Sequence, residues 1–459
     1  MGFSTFCKEQ ISTKQFRKVF YGALAGAFLI ALICYFCGLF LFRMTVLTRI
    51  FSDFWETVRF AVAKNPYDEV FHSSYPPVSF LVVYPFALIC KRELLELPMD
   101  QAISSAPFLF AFCLFFFVCI VVSAFLLTRL IYGKISFVKV VELFCVTLVS
   151  LPVLFMFVRG NVALVAFVLV LVFLNFYNSP NRLLRFVAYL SIAVAGVVKF
   201  YVLFFVLLLA RKGRMLDCLQ ILVLFLLLFI LPFGVYGFNS FNIWLSRLSG
   251  FVITRFQVAH AHNLTFVHPL VIIHTIVDFL GWNWDPWLTG ITIAVHVAFI
   301  LFAAILTMFV KSDYKAFTLC TLLCCLSLNP AYLYIGIFFF PLLLQDLKKE
   351  RISRIKAGFY LLFFTPLIYV HWIGAYLQMF ACVTFAVIVL ISSVKELRAT
   401  YGIKSMWKHI LLLLSGFVNN GKSLAERECA AAQTEQAEES MQTQECVSQQ
   451  DALGDEPLE

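Results

Sequence analysis

The chain has 459 residues; 62% are hydrophobic and only 13% charged, and the mean hydropathy is +0.92. Soluble domains hold roughly 45–50% apolar and about 25% charged residues, so a water-soluble core does not account for this composition. The formal charge of +9 hides a split: from Glu426 onward there are ten acidic residues and one basic, leaving 34 basic against 16 acidic elsewhere. In short loops between apolar runs, that excess reads as topology and lipid-headgroup contact rather than nucleic-acid binding.

Lys8, Lys14, Arg17 and Lys18 lead into an apolar run long enough to stay as a membrane helix rather than a cleaved signal. Uninterrupted apolar stretches such as Phe108–Leu127 and Ile221–Leu231 recur along the chain. They predict spans near 19–42, 106–131, 137–157, 161–177, 183–198, 200–211, 215–237, 286–310, 313–328, 331–346, 355–372 and 373–394. The expected fold is therefore an all-α polytopic membrane protein of about twelve transmembrane helices (11–13), each needing roughly 20 residues to cross the hydrocarbon.

Val78–Cys90 is apolar but too short to cross. Counted as a span, it would put Arg129, Lys134, Lys139, Arg182 and Arg185 outside. Treated as an interfacial or re-entrant segment, it puts all five inside, together with Arg211–Arg214, Lys311, Lys315 and Lys348–Lys356. Positive charge favours the second arrangement. The first extracytoplasmic loop, 43–105, is then long and carries short interfacial helices. Arg159–Asn161, Lys199 and the loop 238–285 fall on the same face. Residues 415–459 are Gln/Glu/Ala-rich and are expected to be a disordered acidic cytoplasmic tail following a membrane domain over 1–414.

Polar groups on that outer face are the candidates for chemistry. Asp53, in Ser52-Asp53-Phe54-Trp55-Glu56, reads either as a solvated loop carboxylate or helix N-cap, or as a general base strengthened by burial among Phe51, Phe54 and Trp55. Tyr75-Pro76-Pro77 fixes an extended lead-in to the short apolar segment, because the residue before proline avoids the helical region. Lys199 interrupts a long apolar stretch and either snorkels or meets an anion. Arg159-Gly160-Asn161 is a polar turn whose guanidinium suits phosphate. His260-Ala261-His262-Asn263 lacks an acidic or Cys partner at ligand spacing, so hydrogen bonding to a sugar or phosphate is expected there rather than zinc. The chain has no Asp-x-Asp motif, P-loop or GxGxxG fingerprint, which points away from a nucleotide-sugar donor.

The order Asp53, Asn65-Pro66-Tyr67, Tyr75-Pro76-Pro77, Arg159-Gly160-Asn161, Lys199-Phe200-Tyr201 resembles the GT-C glycosyltransferases. The likeness is to family 87 (DUF2029-type) in particular, the polyprenyl-phosphate-mannose-dependent mannosyltransferases, and covers roughly residues 19–345. Val202 stands where that family has Pro, and Asn329-Pro330-Ala331-Tyr332 replaces its later Ser-Pro string. The resemblance implies a GT-C fold and an inverting hexose transfer from a polyprenyl-phosphate sugar to a lipid-linked or glycan acceptor. Asp53 would be the general base, with Lys199, Arg159, His260 and His262 at the donor phosphate and Tyr67, Tyr75, Asn161 and Asn263 at the substrates. It implies no metal, no other cofactor and no nucleic-acid partner. It also implies a multi-pass protein of the cell inner (plasma) membrane with both termini cytoplasmic. A flippase, or a polymerase or ligase of lipid-linked polysaccharide, is the alternative.

Overall fold

The computed structural model describes residues 9–36, 51–68, 73, 75–90, 97–247, 270, 285–327, 333–366 and 371–400. These residues are mostly helical. The helices are α1 (Thr13–Phe36), α2 (Ser52–Val62), α3 (Val78–Ile89), α4 (Met99–Ile103), α5 (Ala106–Tyr132), α6 (Phe137–Leu148), α7 (Leu151–Arg159) and α8 (Ala163–Phe176). They continue as α9 (Arg182–Val198), α10 (Leu207–Ala210), α11 (Met215–Ile230), α12 (Asp285–Phe309), α13 (Asp313–Leu326), α14 (Phe340–Leu347), α15 (Arg354–Phe364) and α16 (His371–Thr400). Short 3-10 segments at Phe200–Val206, Leu231–Tyr236 and Leu333–Phe339 join or extend them.

Among the described residues, four helical stretches are long and apolar enough to cross a membrane: Ala106–Tyr132, Met215–Tyr236, Gly290–Phe309 and Leu377–Thr400. The pair α6 and α7, bent by 66° at its break, is a fifth if taken as one span. The bend falls beside Pro152, which has no N–H to continue the ladder of α6. Val78–Ile89, Ala163–Phe176, Phe200–Ala210 and Leu333–Leu347 are shorter apolar helices. The expected 183–198 and 200–211 segments are parted at Lys199, whose extended backbone (φ −149°) ends α9. A side chain at Gly196 would strike Leu203 at 2.5 Å, so a glycine there lets the two halves fold closely together.

α5 relates the two ends of the bundle to each other. Its 27 residues extend about 40 Å at 1.5 Å per residue. Near its start, Phe108 packs edge-on to Phe54 of α2. Near its end, the Ile131 carbonyl accepts from Lys348 Nζ at 2.6 Å.

The basic loops gather at that second end. Gln10–Ser12 pairs antiparallel with Arg351–Ser353, tying the start of the described chain to the segment before α15. Arg17 donates to the Leu347 carbonyl at 2.7 Å, and Tyr21 donates to Glu142 at 2.7 Å. Asp346, buried nearby, is satisfied by Lys349, Lys356, Tyr314 and Tyr360 together. A buried carboxylate without such partners would be costly. The cations that charge counting placed on one side of the membrane thus meet at one end of the bundle, and α2 lies at the other. The tail 415–459 falls outside the described residues.

Candidate active site

Asp53 occupies the first turn of α2, where the helix N-terminus favours negative charge. It is not the cap. Phe51 takes that place in a left-handed conformation (φ 57°) that is rare for an aromatic residue. The Phe51 N–H donates to the Val158 carbonyl at 2.8 Å, and its ring packs against Phe112 and Phe157. Phe54, one residue past Asp53, is fully buried against Phe108, Phe112 and Phe115. This aromatic clasp locks the start of α2 onto α5 and the end of α7.

α7 stops where Gly160 adopts φ 67°, a helix end that glycine tolerates without a Cβ penalty. A Cβ at Gly160 would lie 2.8 Å from the Phe54 Cβ, so only a bare backbone fits against α2. The residues on either side of that glycine are thereby brought to Asp53. Arg159 Nη2 donates to Asp53 Oδ1 at 2.5 Å, and Asn161 Nδ2 donates to Asp53 Oδ2 at 2.6 Å. The ion pair is largely shielded, with 16% and 12% of the Arg159 and Asp53 side chains exposed. Asn161 cannot swing away: its Oδ1 accepts from the Ala163 N–H at 2.8 Å, and Nδ2 also lies 3.2 Å from Tyr334 Oη. An ionised carboxylate offers about four acceptor positions, so these two strong donors leave capacity for a substrate hydroxyl.

Lys199 approaches the same cluster from the break after α9. Its ammonium lies 3.4 Å from Tyr75 Oη and 4.9 Å from the centre of that ring. Burial lowers the Lys199 pKa to about 8; Asp53 pulls it upward and Arg159 pushes it down. One carboxylate and two cations thus share this end of the bundle, Arg159 on Asp53 and Lys199 on Tyr75. Burial, with Asp53 and Glu56 close by, raises the Tyr75 pKa and keeps its hydroxyl protonated. Tyr201, two residues beyond Lys199, has a buried hydroxyl with no hydrogen-bond partner among the described residues.

Tyr75 is braced from behind. The Tyr67 hydroxyl donates to the Tyr75 carbonyl at 2.9 Å, and Ser73 Oγ accepts from the Tyr75 N–H at 3.1 Å. Tyr67 is fully buried beside Phe233 and Tyr236. Arg247 closes the turn by donating to the carbonyls of Tyr67 and Asp68 at 2.9 and 3.2 Å.

Five of the residues singled out in the sequence therefore come together: Asp53, Arg159, Asn161, Lys199 and Tyr75. Tyr67 stands behind them with its hydroxyl committed to the backbone. His260, His262 and Asn263 lie outside the described residues. Sequence reasoning missed Tyr334, which borders the Asn329–Tyr332 string but carries no motif of its own; only the fold, bringing the 3-10 segment at Leu333–Phe339 against the end of α7, reveals its contact with Asn161.

The fold and cluster define a helical membrane protein with a shielded carboxylate–guanidinium–ammonium group at one end of its bundle. The glycosyltransferase family 87 model matches residues 71–329, and the chain belongs to that family. It is accordingly a transferase that works with a sugar donor and an acceptor. The match includes Tyr75, Arg159, Asn161 and Lys199, and leaves Asp53 and Tyr334 outside it. Searches of curated proteins and of solved structures return no match.

Proposed function

We propose that this chain is an inverting hexosyltransferase that takes its sugar, mannose by resemblance, from a polyprenyl-phosphate donor. The acceptor is lipid-linked or a glycan, and Asp53 is the general base. Residues 1–414 act as one membrane domain of about twelve spans in the plasma membrane, a span being roughly 20 residues long. Both termini are cytoplasmic and Asp53 faces the outside. Gathering of the basic loops at the opposite end of the bundle supports that orientation, since basic loops are retained inside.

The observation that carries the reading is the ion pair between Arg159 and Asp53, from distant segments of the chain, with Lys199 held against Tyr75 at the same end. In the reaction, the acceptor hydroxyl passes its proton to a free lone pair of Asp53. The acceptor oxygen forms the new bond to the anomeric carbon from the face opposite the phosphate. The bond from that carbon to the phosphate oxygen breaks, and its electron pair leaves with the lipid phosphate. Arg159 and Lys199 stabilise the charge developing there. A phosphate ester is already a good leaving group, so this chemistry does not require a metal. General-base catalysis contributes about 10²–10⁴-fold, and holding two membrane-tethered substrates in line supplies much of the remainder.

A flippase would carry charges along a central path through the membrane. Here the cations and carboxylates concentrate at the two ends of the bundle, which favours the transferase. Purified protein supplied with polyprenyl-phosphate mannose and an acceptor lipid extract should form a glycosylated product and release the polyprenyl phosphate. Movement of the intact lipid-linked sugar across a vesicle membrane without transfer would contradict the proposal.

A further inference from the structure

A second polar pocket lies at the opposite end of the bundle from Asp53, and the proposed transfer reaction makes no use of it. It opens between the ends of α5, α8, α10 and α14 and the start of α13, and encloses about 600 Å³ counting its open mouth. Leu130, Leu208 and Phe317 form apolar walls, while Tyr177, Arg211, Lys212 and Asp313 form a polar rim.

The rim charges divide unevenly. Arg211 pairs with Asp313 and donates to the Val310 carbonyl at 2.7 Å, so both members of that pair are committed. Arg214, one turn away, pairs with Asp217 at 2.6 Å. Lys212 has no carboxylate within ion-pair distance among the described residues, and its ammonium rests 5.2 Å from the centre of the Tyr177 ring. Burial lowers its pKa and Arg211 and Arg214 add to that, against the upward pull of Asp313, which is itself paired with Arg211. The pocket is therefore one negative charge short. Apolar walls beneath a cationic rim at a membrane interface match a molecule with a charged head and a hydrocarbon body.

We propose that this pocket binds the phosphodiester headgroup of an anionic membrane lipid, with Lys212 as its counter-ion and the Leu130–Leu208–Phe317 walls receiving the adjoining apolar part. Charge favours the lipid over free phosphate. A phosphodiester carries a single negative charge, matching the one uncommitted cation, whereas inorganic phosphate brings about 1.5–2 charges at neutral pH beside Asp313. The site is separate from the Asp53 cluster and does not depend on the transferase reading.

The test is the thermal midpoint of the full chain in detergent, titrated with phosphatidylglycerol, phosphatidylcholine or inorganic phosphate, with native mass spectrometry counting bound lipid. Phosphatidylglycerol should stabilise the protein with one lipid retained, and phosphatidylcholine and inorganic phosphate should not. Lys212→Gln should weaken the apparent affinity about tenfold, on the scale of one charge-assisted contact. Arg182→Gln, removing an exposed cation at the same end, should leave it unchanged, as should Asp53→Asn. Equal binding by wild type and Lys212→Gln would overturn the site. An equal loss in Arg182→Gln would assign the effect to general surface charge and overturn it too, and full stabilisation by inorganic phosphate would overturn the lipid assignment. If Lys212→Gln does not fold, Lys212→Arg provides the second reading: it should bind phosphatidylglycerol as wild type does, and loss of binding there would contradict the counter-ion role.

Discussion

Asn161 donates its side-chain amide to Asp53 at 2.6 Å while its carbonyl is fixed by the Ala163 N–H at 2.8 Å. The base therefore does not select its own orientation. A turn 108 residues away in sequence imposes it, and Arg159 on the same turn holds the second carboxylate oxygen. Holding a reactive group by neighbours that are themselves locked is the arrangement a precise proton transfer needs.

Gly160 should tolerate no side chain. Gly160→Ala combines a left-handed backbone (φ 67°) with a Cβ placed 2.8 Å from that of Phe54. The expected cost is about 1–3 kcal/mol. Displacement of Arg159 and Asn161 should also lower sugar transfer more than it lowers donor binding. Unfolding in detergent and steady-state kinetics measured together check both parts.

Arg159→Met should leave Asp53 with Asn161 as its one strong donor, destabilising the site end by about 1–3 kcal/mol. It also removes one of the two cations facing the leaving phosphate, so kcat/KM should fall by roughly 10²-fold. Arg159→Lys should recover part of both, since charge remains but the planar donor fork is lost. Full activity in Arg159→Met would remove the residue from the mechanism.

The Lys199 ammonium should impose a pH limit on donor use. Its pKa is lowered to about 8, so the charged form predominates below that pH and is lost above it. In the limit where only the ammonium binds phosphate, kcat/KM for the donor should fall roughly tenfold per pH unit beyond 8, because that ratio reports the free enzyme. Lys199→Arg, which keeps its charge throughout, should abolish this limb, and Lys199→Met should lower donor affinity at every pH. An unchanged limb in Lys199→Arg would assign the titration to another group.

Tyr334→Phe removes one partner of the Asn161 side chain. Its bonds to Asp53 and to the Ala163 N–H remain, so the fold should be retained. Asp53 would be less firmly aimed, and kcat should fall about threefold to tenfold with little change in KM, on the scale of one neutral hydrogen bond.

The membrane class and a span boundary at Lys199 were legible from apolar runs and a charge inside an apolar stretch, and charge counting put Arg159–Asn161 on the same face as the Asp53 loop. The short α3 over Val78–Ile89 likewise follows from its length and its Tyr75-Pro76-Pro77 lead-in. The bonds from Arg159 and Asn161 to Asp53 were not legible, because they depend on how α7 packs against α2. The role of Tyr67 was not legible. An Asn-Pro-Tyr string looks available to substrate, and only the packing of Phe233 and Tyr236 around its ring shows it buried. Phe51 carried no signal either, since a left-handed aromatic residue is dictated by tertiary contacts with α5 and α7 rather than by its own preference. Asp53 as a helix cap was a reasonable alternative from spacing, and the structure places it inside the first turn instead.

Sidedness follows from impermeant thiol labelling of intact cells. Lys64→Cys should react from outside, and Lys134→Cys only after permeabilisation, each scored against the parent chain. Both positions are exposed, one in each group of loops. The reverse pattern would invert the proposed orientation.

The central claim is that Asp53 takes the proton from the acceptor hydroxyl. The measurement that tests it most directly compares wild type with Asp53→Asn in a sugar-transfer assay using polyprenyl-phosphate mannose. Asparagine keeps the shape of the side chain and an acceptor for Arg159 but cannot serve as a base. The account predicts that transfer by the folded variant falls by about 10²–10⁴-fold with donor binding near wild type, while the thermal midpoint drops modestly because Arg159 loses its counter-charge and Asn161 an acceptor. Transfer at the wild-type rate by folded Asp53→Asn would contradict it.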